Sequence, residues 1–269
     1  MEVSKRPAPS SGRVAEENHG NHVHRKGPVM LNRFLPVFLL SGLVFGGCGS
    51  PEPGQHERRA DVQVMTREAQ ASMSPAEALQ RLKEGNDRFV TGRSLQRNFP
   101  GEARATASGQ YPFAAIVSCL DSRASAELVF DQGLGAVFSA RLAGNILNED
   151  VLGSLEFATQ VAGAKLIVVV GHSACGAVKG ACDNVELGHL TGLLKKIEPA
   201  VSATKARFEG DPSAKNPAFV NDVAREHVRL MVRHLLEQSP ILNELAKRGS
   251  LKVAGGFQDL ASGRVAFLE

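Results

Sequence analysis

The sequence predicts an α/β domain with a mostly parallel central sheet of four to five strands flanked by helices. Three observations lead there. FAAIVS at 113–118, AVFSA at 136–140 and LIVVV at 166–170 are short apolar runs of strand length, without the alternation of a strand that has one wet face. A stretch of helical apolar spacing separates the second run from the third, and strands alternating with helices form parallel sheets covered on both sides. With 269 residues, 43% of them apolar and 22% charged, the chain has the composition of a soluble protein with one main domain.

Taken in order, the domain is expected to begin near Ser74, giving a boundary of 74–269. SPAEALQRLKEGNDRF opens with Ser74 as N-cap, Pro75 in the first turn and Glu77 three residues after the cap, a capping box. Ala78, Leu79, Leu82 and Phe89 then line one face of a helix. The strands at 113–118 and 136–140 follow. DVLGSLEFATQVAG at 150–163 reads as a helix with Val151, Leu155, Ala158 and Ala162 on one side and Gly163 as its stop. LIVVV is the third strand. NDVAREHVRLMVRHLLEQSP has helical spacing through Val223, Val228, Met231 and Leu235, and Pro240 can start a further helix ending at Gly249. SLKVAGGF is a fourth strand, and QDLASGRVAFLE reads as a hairpin-like return.

Residues 1–47 read as a leader. FLPVFLLSGLVFGG at 34–47 is too short to span a bilayer comfortably but has the length of a signal-peptide core. Read from Met30, the segment is a compact signal with one arginine ahead of the apolar run. Gly46 and Gly47 before Cys48 resemble a bacterial lipobox, so Cys48 is the expected lipidation site and 48–73 the tether. Phe45 departs from that pattern, which usually has leucine there. The expected location is the cell envelope on the periplasmic side, with a soluble periplasmic protein as the alternative, and membrane association only through the lipid. The net charge of +3 sits in the leader, and from residue 48 on there are 25 basic and 25 acidic residues. No basic surplus remains to neutralise phosphates, which excludes a nucleic-acid partner.

Two strand ends carry chemistry. The first runs into SCLDSR, with Cys119, Asp121 and Arg123; the third runs into GHSACG, with His172 and Cys175. Ligands of open α/β sheets bind at the carboxyl ends of strands, so these residues can converge across about fifty positions of sequence. GHSAC misses the nucleophile-elbow pattern at its last position, and GHSACGAVK lacks the lysine-hydroxyl pair of a phosphate loop. A dithiol redox pair would need cysteine where His172 stands. Two thiolates and one imidazole suit zinc, and three protein ligands leave a fourth position open for catalysis. Inert buried cysteines beside a core histidine are the alternative. Asp121 and Arg123, two apart on a segment read as extended, can lie on one side and pair, keeping the carboxylate ionised as a pure acceptor.

With CLDSR at 119–123, GHSACGAVKG at 171–180, RLAGN at 141–145, GSLEFA at 153–158 and SPIL at 239–242, the chain from Ser74 to Glu269 resembles the β-class carbonic anhydrases. The resemblance implies one Zn2+ per chain on Cys119, His172 and Cys175, with Asp121 and Arg123 as the pair that orients the attacking hydroxide. It also implies a closed form in which Asp121 leaves Arg123 and becomes the fourth ligand. Gln110 matches the substrate-binding glutamine of that family. Phe138 and Phe157 match aromatic positions of its CO2 pocket, which a second subunit helps to build, although some relatives have tyrosine at the place of Phe157. The implied activity is reversible hydration of CO2 to bicarbonate by a homodimer or larger homo-oligomer. The alternatives are a non-catalytic zinc or bicarbonate-binding module and a hydrolase of carbonyl sulfide or carbon disulfide. His189 and His227 are proton-shuttle candidates by residue type alone, with surface or packing roles as the plainer reading. Cys182, about two helical turns after Cys175, is expected to pack.

Overall fold

The structure, a computed structural model, describes residues 62–268. The leader, Cys48 and the first part of the proposed tether lie outside the described residues. Helical structure precedes Ser74: α1 (Arg67–Ser72) is capped by the Thr66 hydroxyl and tucks Gln70 against the domain. The Gln70 amide donates to the carbonyls of Pro112 (2.7 Å) and Ala162 (2.8 Å), and Met65 joins the core. The expected boundary at 74 is therefore too late, because the polar composition around residue 70 hides one buried glutamine.

At α2 (Pro75–Val90) the expected capping box is present. The Ser74 hydroxyl accepts from the Glu77 amide at 3.2 Å, and the Glu77 carboxylate accepts from the Ser74 amide at 2.7 Å. Such a cap contributes about 1 kcal/mol. A short α3 (Phe99–Thr106) leads to the sheet, which comprises β1 (Ala114–Ser118), β2 (Val137–Arg141), β3 (Leu166–His172), β4 (Lys252–Gln258) and β5 (Val265–Leu268). Its order is β2-β1-β3-β4-β5, with every pair parallel except β4 with β5. β1 and β3 lie inside and are buried throughout, which is why their sequences are unbroken apolar runs. β2 is an edge and only partly covered.

Alternate residues of β1 and β3 serve two cores. Ala114, Ile116, Leu166 and Val168 pack with Leu82 of α2 and with Val129 of α4 (Ala126–Val129). Ala115, Val117, Ile167 and Val169 pack with Leu155 of α5 (Glu149–Glu156), whose helical path continues through a π-turn at Phe157–Val161 before Gly163 ends it. The same cluster takes in Val228, Met231 and Leu235, three residues of the apolar stripe expected within 221–240. A third cluster joins α6 (Gly176–Cys182), α7 (Gly188–Leu194), α8 (Glu198–Lys205) and the first half of α9 (Pro217–Gln238) around the carboxyl end of the sheet. The last helix, α10 (Pro240–Lys247), starts at the expected proline, capped by Ser239.

Candidate metal centre

The strand order makes β1 and β3 neighbours, and both expected ligand segments leave at their carboxyl ends. Cys119 directly follows β1. His172 is the last residue of β3. Three residues later Cys175 caps α6, and the turn between them is set by Ala174, a non-glycine residue at φ 54° whose amide donates to the Asn221 side chain at 3.2 Å. The result is a buried trio: the Cys119 and Cys175 sulfurs and an imidazole nitrogen of His172 all lie within 4.8 Å of one another.

The donors fit zinc. His172 Nδ1 sits 2.9 Å from the Ser173 carbonyl, which fixes it as the protonated nitrogen, and Nε2 is buried without a hydrogen-bond partner among the described residues. A ligating histidine is held in this way, one nitrogen donating to a carbonyl and the other presenting its lone pair. The Cys175 thiol beside it is the leading cause that pulls the Cys119 thiol down to about 4, with the His172 ring and the amides of Asp121 and Gly144 adding to it against burial. Cys175 is pushed up because its proton is shared with the Cys119 sulfur and because it is buried. Burial opposes charging His172, yet the Cys119 sulfur and the Ser173 carbonyl outweigh it and hold its pKa above the ordinary value. Such a cluster keeps protons that a divalent cation would displace.

Asp121 stands apart from the trio, on Arg123. The guanidinium donates from Nε to Oδ1 at 2.9 Å and from Nη2 to Oδ2 at 2.8 Å, holding the carboxyl well below the ordinary range. The segment is a turn rather than the extended stretch read from the sequence: the Ala124 amide donates to the Asp121 carbonyl and the Arg123 amide to Asp121 Oδ1. An aspartate at the first position of a turn bonds the backbone two residues on, and here that bond brings the arginine round to the same carboxylate.

Comparisons with known proteins agree with this geometry. The carbonic anhydrase family matches residues 114–265. Carbonic anhydrase 2 of Mycobacterium tuberculosis is 38% identical over 197 residues, covering 71% of this chain and 91% of its own. The carbonic anhydrase of Mycolicibacterium smegmatis is 36% identical over 194 residues, with coverages of 71% and 92%. Among solved structures, a tetrameric β-carbonic anhydrase from Sordaria macrospora superposes with a TM-score of 0.56 at 26% identity, covering 71% of this chain and 96% of the other. The chain belongs to the β-carbonic anhydrases. These are zinc lyases, so the cofactor of the trio is zinc.

Within this carbonic anhydrase several supporting residues escaped the sequence reading. Arg141, at the end of β2, donates to the Cys119 carbonyl at 3.1 Å and also to the Asp121 carbonyl, clamping the segment that carries both residues. The Gly144 amide donates to the Cys119 sulfur at 3.3 Å. Both lie in RLAGN, a motif visible in the sequence but without a residue there that titrates or ligates. The Ser173 hydroxyl accepts from the Leu260 amide at 2.9 Å, a structural tie between its own turn and the loop after β4. Cys182 packs in the same cluster as Cys175, and burial pushes its thiol up to about 11. His189 is exposed on α7, whereas His227 is wholly buried in α9.

The expected substrate residues lie elsewhere on the chain. Phe138 and Phe157 meet edge to face with ring centres 6.4 Å apart, in a groove of about 920 Å3 along the β2 edge. Phe138 pairs in register with Ala115, four residues before Cys119 and so roughly 13 Å of strand away from it. Exposed Gln110 precedes β1, nearer still to the amino end of the sheet. One chain does not gather these three residues around its own trio.

Proposed function

We propose that this protein catalyses the reversible hydration of CO2 to bicarbonate at zinc held by Cys119, His172 and Cys175. The observation that carries this is a buried S,S,N trio, three donors where zinc takes four, with the nearby carboxylate tied to Arg123. Zinc there would supply the Lewis acidity that lowers the pKa of a bound water. Two thiolates donate more charge than imidazoles do, so activity should rise toward alkaline pH. Asp121, ionised and without a proton to give, would accept a hydrogen bond from a water or hydroxide that zinc holds. Arg123 keeps the carboxylate in that role and away from the metal.

A homo-oligomer of at least two copies completes the pocket. Support comes from the separation of Gln110, Phe138 and Phe157 from their own chain's trio, from Phe157 being 54% exposed on the β2 edge, and from the tetrameric relatives in Sordaria macrospora. The leader directs export, and lipid on Cys48 tethers the enzyme on the periplasmic side of the envelope. This placement is supported by the apolar run and the Gly-Gly-Cys ending alone. Changing Cys48→Ser should release the protein from membranes, and unchanged membrane association counts against the anchor.

Stopped-flow CO2 hydration by the zinc-loaded protein at mildly alkaline pH is the test. Wild type should be active, with Asp121→Ala and Arg123→Ala each reduced about 10- to 100-fold, the range for groups that orient a metal site. An inactive wild type with bound zinc defeats the proposal, and turnover of carbonyl sulfide in its place reassigns the substrate. A fully active monomer in sedimentation analysis would remove the shared pocket.

A further inference from the structure

We infer that His227 is a positioning residue for the metal centre, gripping the Gly144 carbonyl from the middle of α9 so that the Gly144 amide is presented to the Cys119 sulfur. Its ring has no exposed surface, and Nε2 lies 2.9 Å from the Gly144 oxygen. A carbonyl only accepts, so Nε2 carries the proton. Among the described residues Nδ1 is buried without a partner, and a second proton there would find no acceptor. Burial accordingly pushes the imidazole down to about 4, so the donor is a neutral ring at physiological pH. This chemistry excludes a proton shuttle, which must change charge.

The turn that His227 grips has little other freedom. Gly144 adopts φ 68° and ψ 23°, and a Cβ there would meet Ile197 Cδ1 at 2.7 Å and the Ala177 Cβ at 3.3 Å. Ile197 itself is fully buried. On the other side, Gly171 lets α9 close on β3: a Cβ at 171 would lie 2.7 Å from Val228 Cγ2 and 3.4 Å from the Ala224 carbonyl. That approach brings the residue before Val228 within reach of the turn. The 3.3 Å amide bond to Cys119 thus sits at the end of a relay from α9 through one glycine. An amide donating to a ligating thiolate orients it and draws off part of its charge, the kind of outer contact that sets metal affinity.

The inference rests on the zinc reading of the trio. His227→Gln retains an amide donor near the place of Nε2, while His227→Leu retains bulk and removes the donor. Zinc affinity is measured by competition with a chromophoric chelator, and the Co2+ form reports sulfur-to-cobalt charge transfer. The leucine variant should bind Zn2+ about tenfold more weakly, with a shifted cobalt band, and the glutamine variant should recover both. A leucine variant with a lower melting temperature but wild-type zinc affinity and cobalt band overturns the inference, because a core-filling histidine would behave so. Should that chain not fold, His227→Met, whose adaptable side chain fills the site without a donor, is read by the same two measurements. A folded wild type that binds no zinc defeats the site reading and the inference together.

Discussion

Acid should destabilise this enzyme through His227 in a defined window. In the unfolded chain the imidazole titrates at its ordinary 6.5; in the folded chain burial moves it to about 4. Below 6.5 the unfolded state takes up a proton that the folded state refuses, so stability falls as pH drops and levels off once the folded pKa is passed. Each unit is worth about 1.4 kcal/mol, so the separation costs roughly 3 kcal/mol across the window, and nothing above it. Cys119, held at about 4, is protonated in the same range, which makes a single pH curve uninformative. The difference between wild type and His227→Gln cancels that shared contribution. Urea unfolding at a series of pH values from about 7 to about 4.5 should show the two curves converging, by up to about 1.4 kcal/mol per unit, with wild type losing its advantage as acid is added. Parallel curves through that range would refute a neutral, dry imidazole.

Gly144→Ala should cost about 2–4 kcal/mol in the same unfolding assay, from the left-handed backbone and from forcing a methyl against Ile197; a loss below about 0.5 kcal/mol would mean the turn is looser than described. Asn86, 3% exposed, donates to the carbonyls of Val129 and Gly263 and accepts from the Val265 amide, tying α2 to the final hairpin. Asn86→Ala strands three backbone groups and should remove about 3–5 kcal/mol, read as a fall in melting temperature with zinc content unchanged. Zinc uptake at neutral pH should release about one to two protons, chiefly from Cys175 because Cys119 with its pKa of about 4 is already ionised. Calorimetry in buffers of different ionisation enthalpy measures that release, and the same proton competition should make zinc binding weaken as pH falls; an uptake without protons would contradict the thiol assignments.

The strands were legible because β1 and β3 are buried on both faces and must be apolar at every position. The ligands were legible because cysteine and histidine at a strand end have few other uses in that combination. α7 and α8 were not, since neither carries a side-chain cap and both cover the end of the sheet rather than lying along it. The π-turn after Glu156 escaped as well: Phe157 to Val161 keep helical spacing, and the extra residue shows in bonds such as that of the Ala162 amide reaching back five residues to the Phe157 carbonyl. Asp121 and Arg123 were paired for the wrong local reason, an extended strand in place of an Asx turn, yet the charge logic survived because either backbone puts them together. Arg141 and Gly144 act through backbone groups, and a sequence motif records that such residues are present without saying which carbonyl or amide they reach.

Gln70 fastens α1 to Pro112 and Ala162, just ahead of β1 and β3, and Val62 lies against Gly101 on α3, whose neighbour Glu102 binds the loop before β2. All of these mark the amino ends of the strands, while the metal ligands sit at the carboxyl ends. The two ends of the sheet thus divide the work: one is bolted down by α1 and α3, and the other is kept for chemistry.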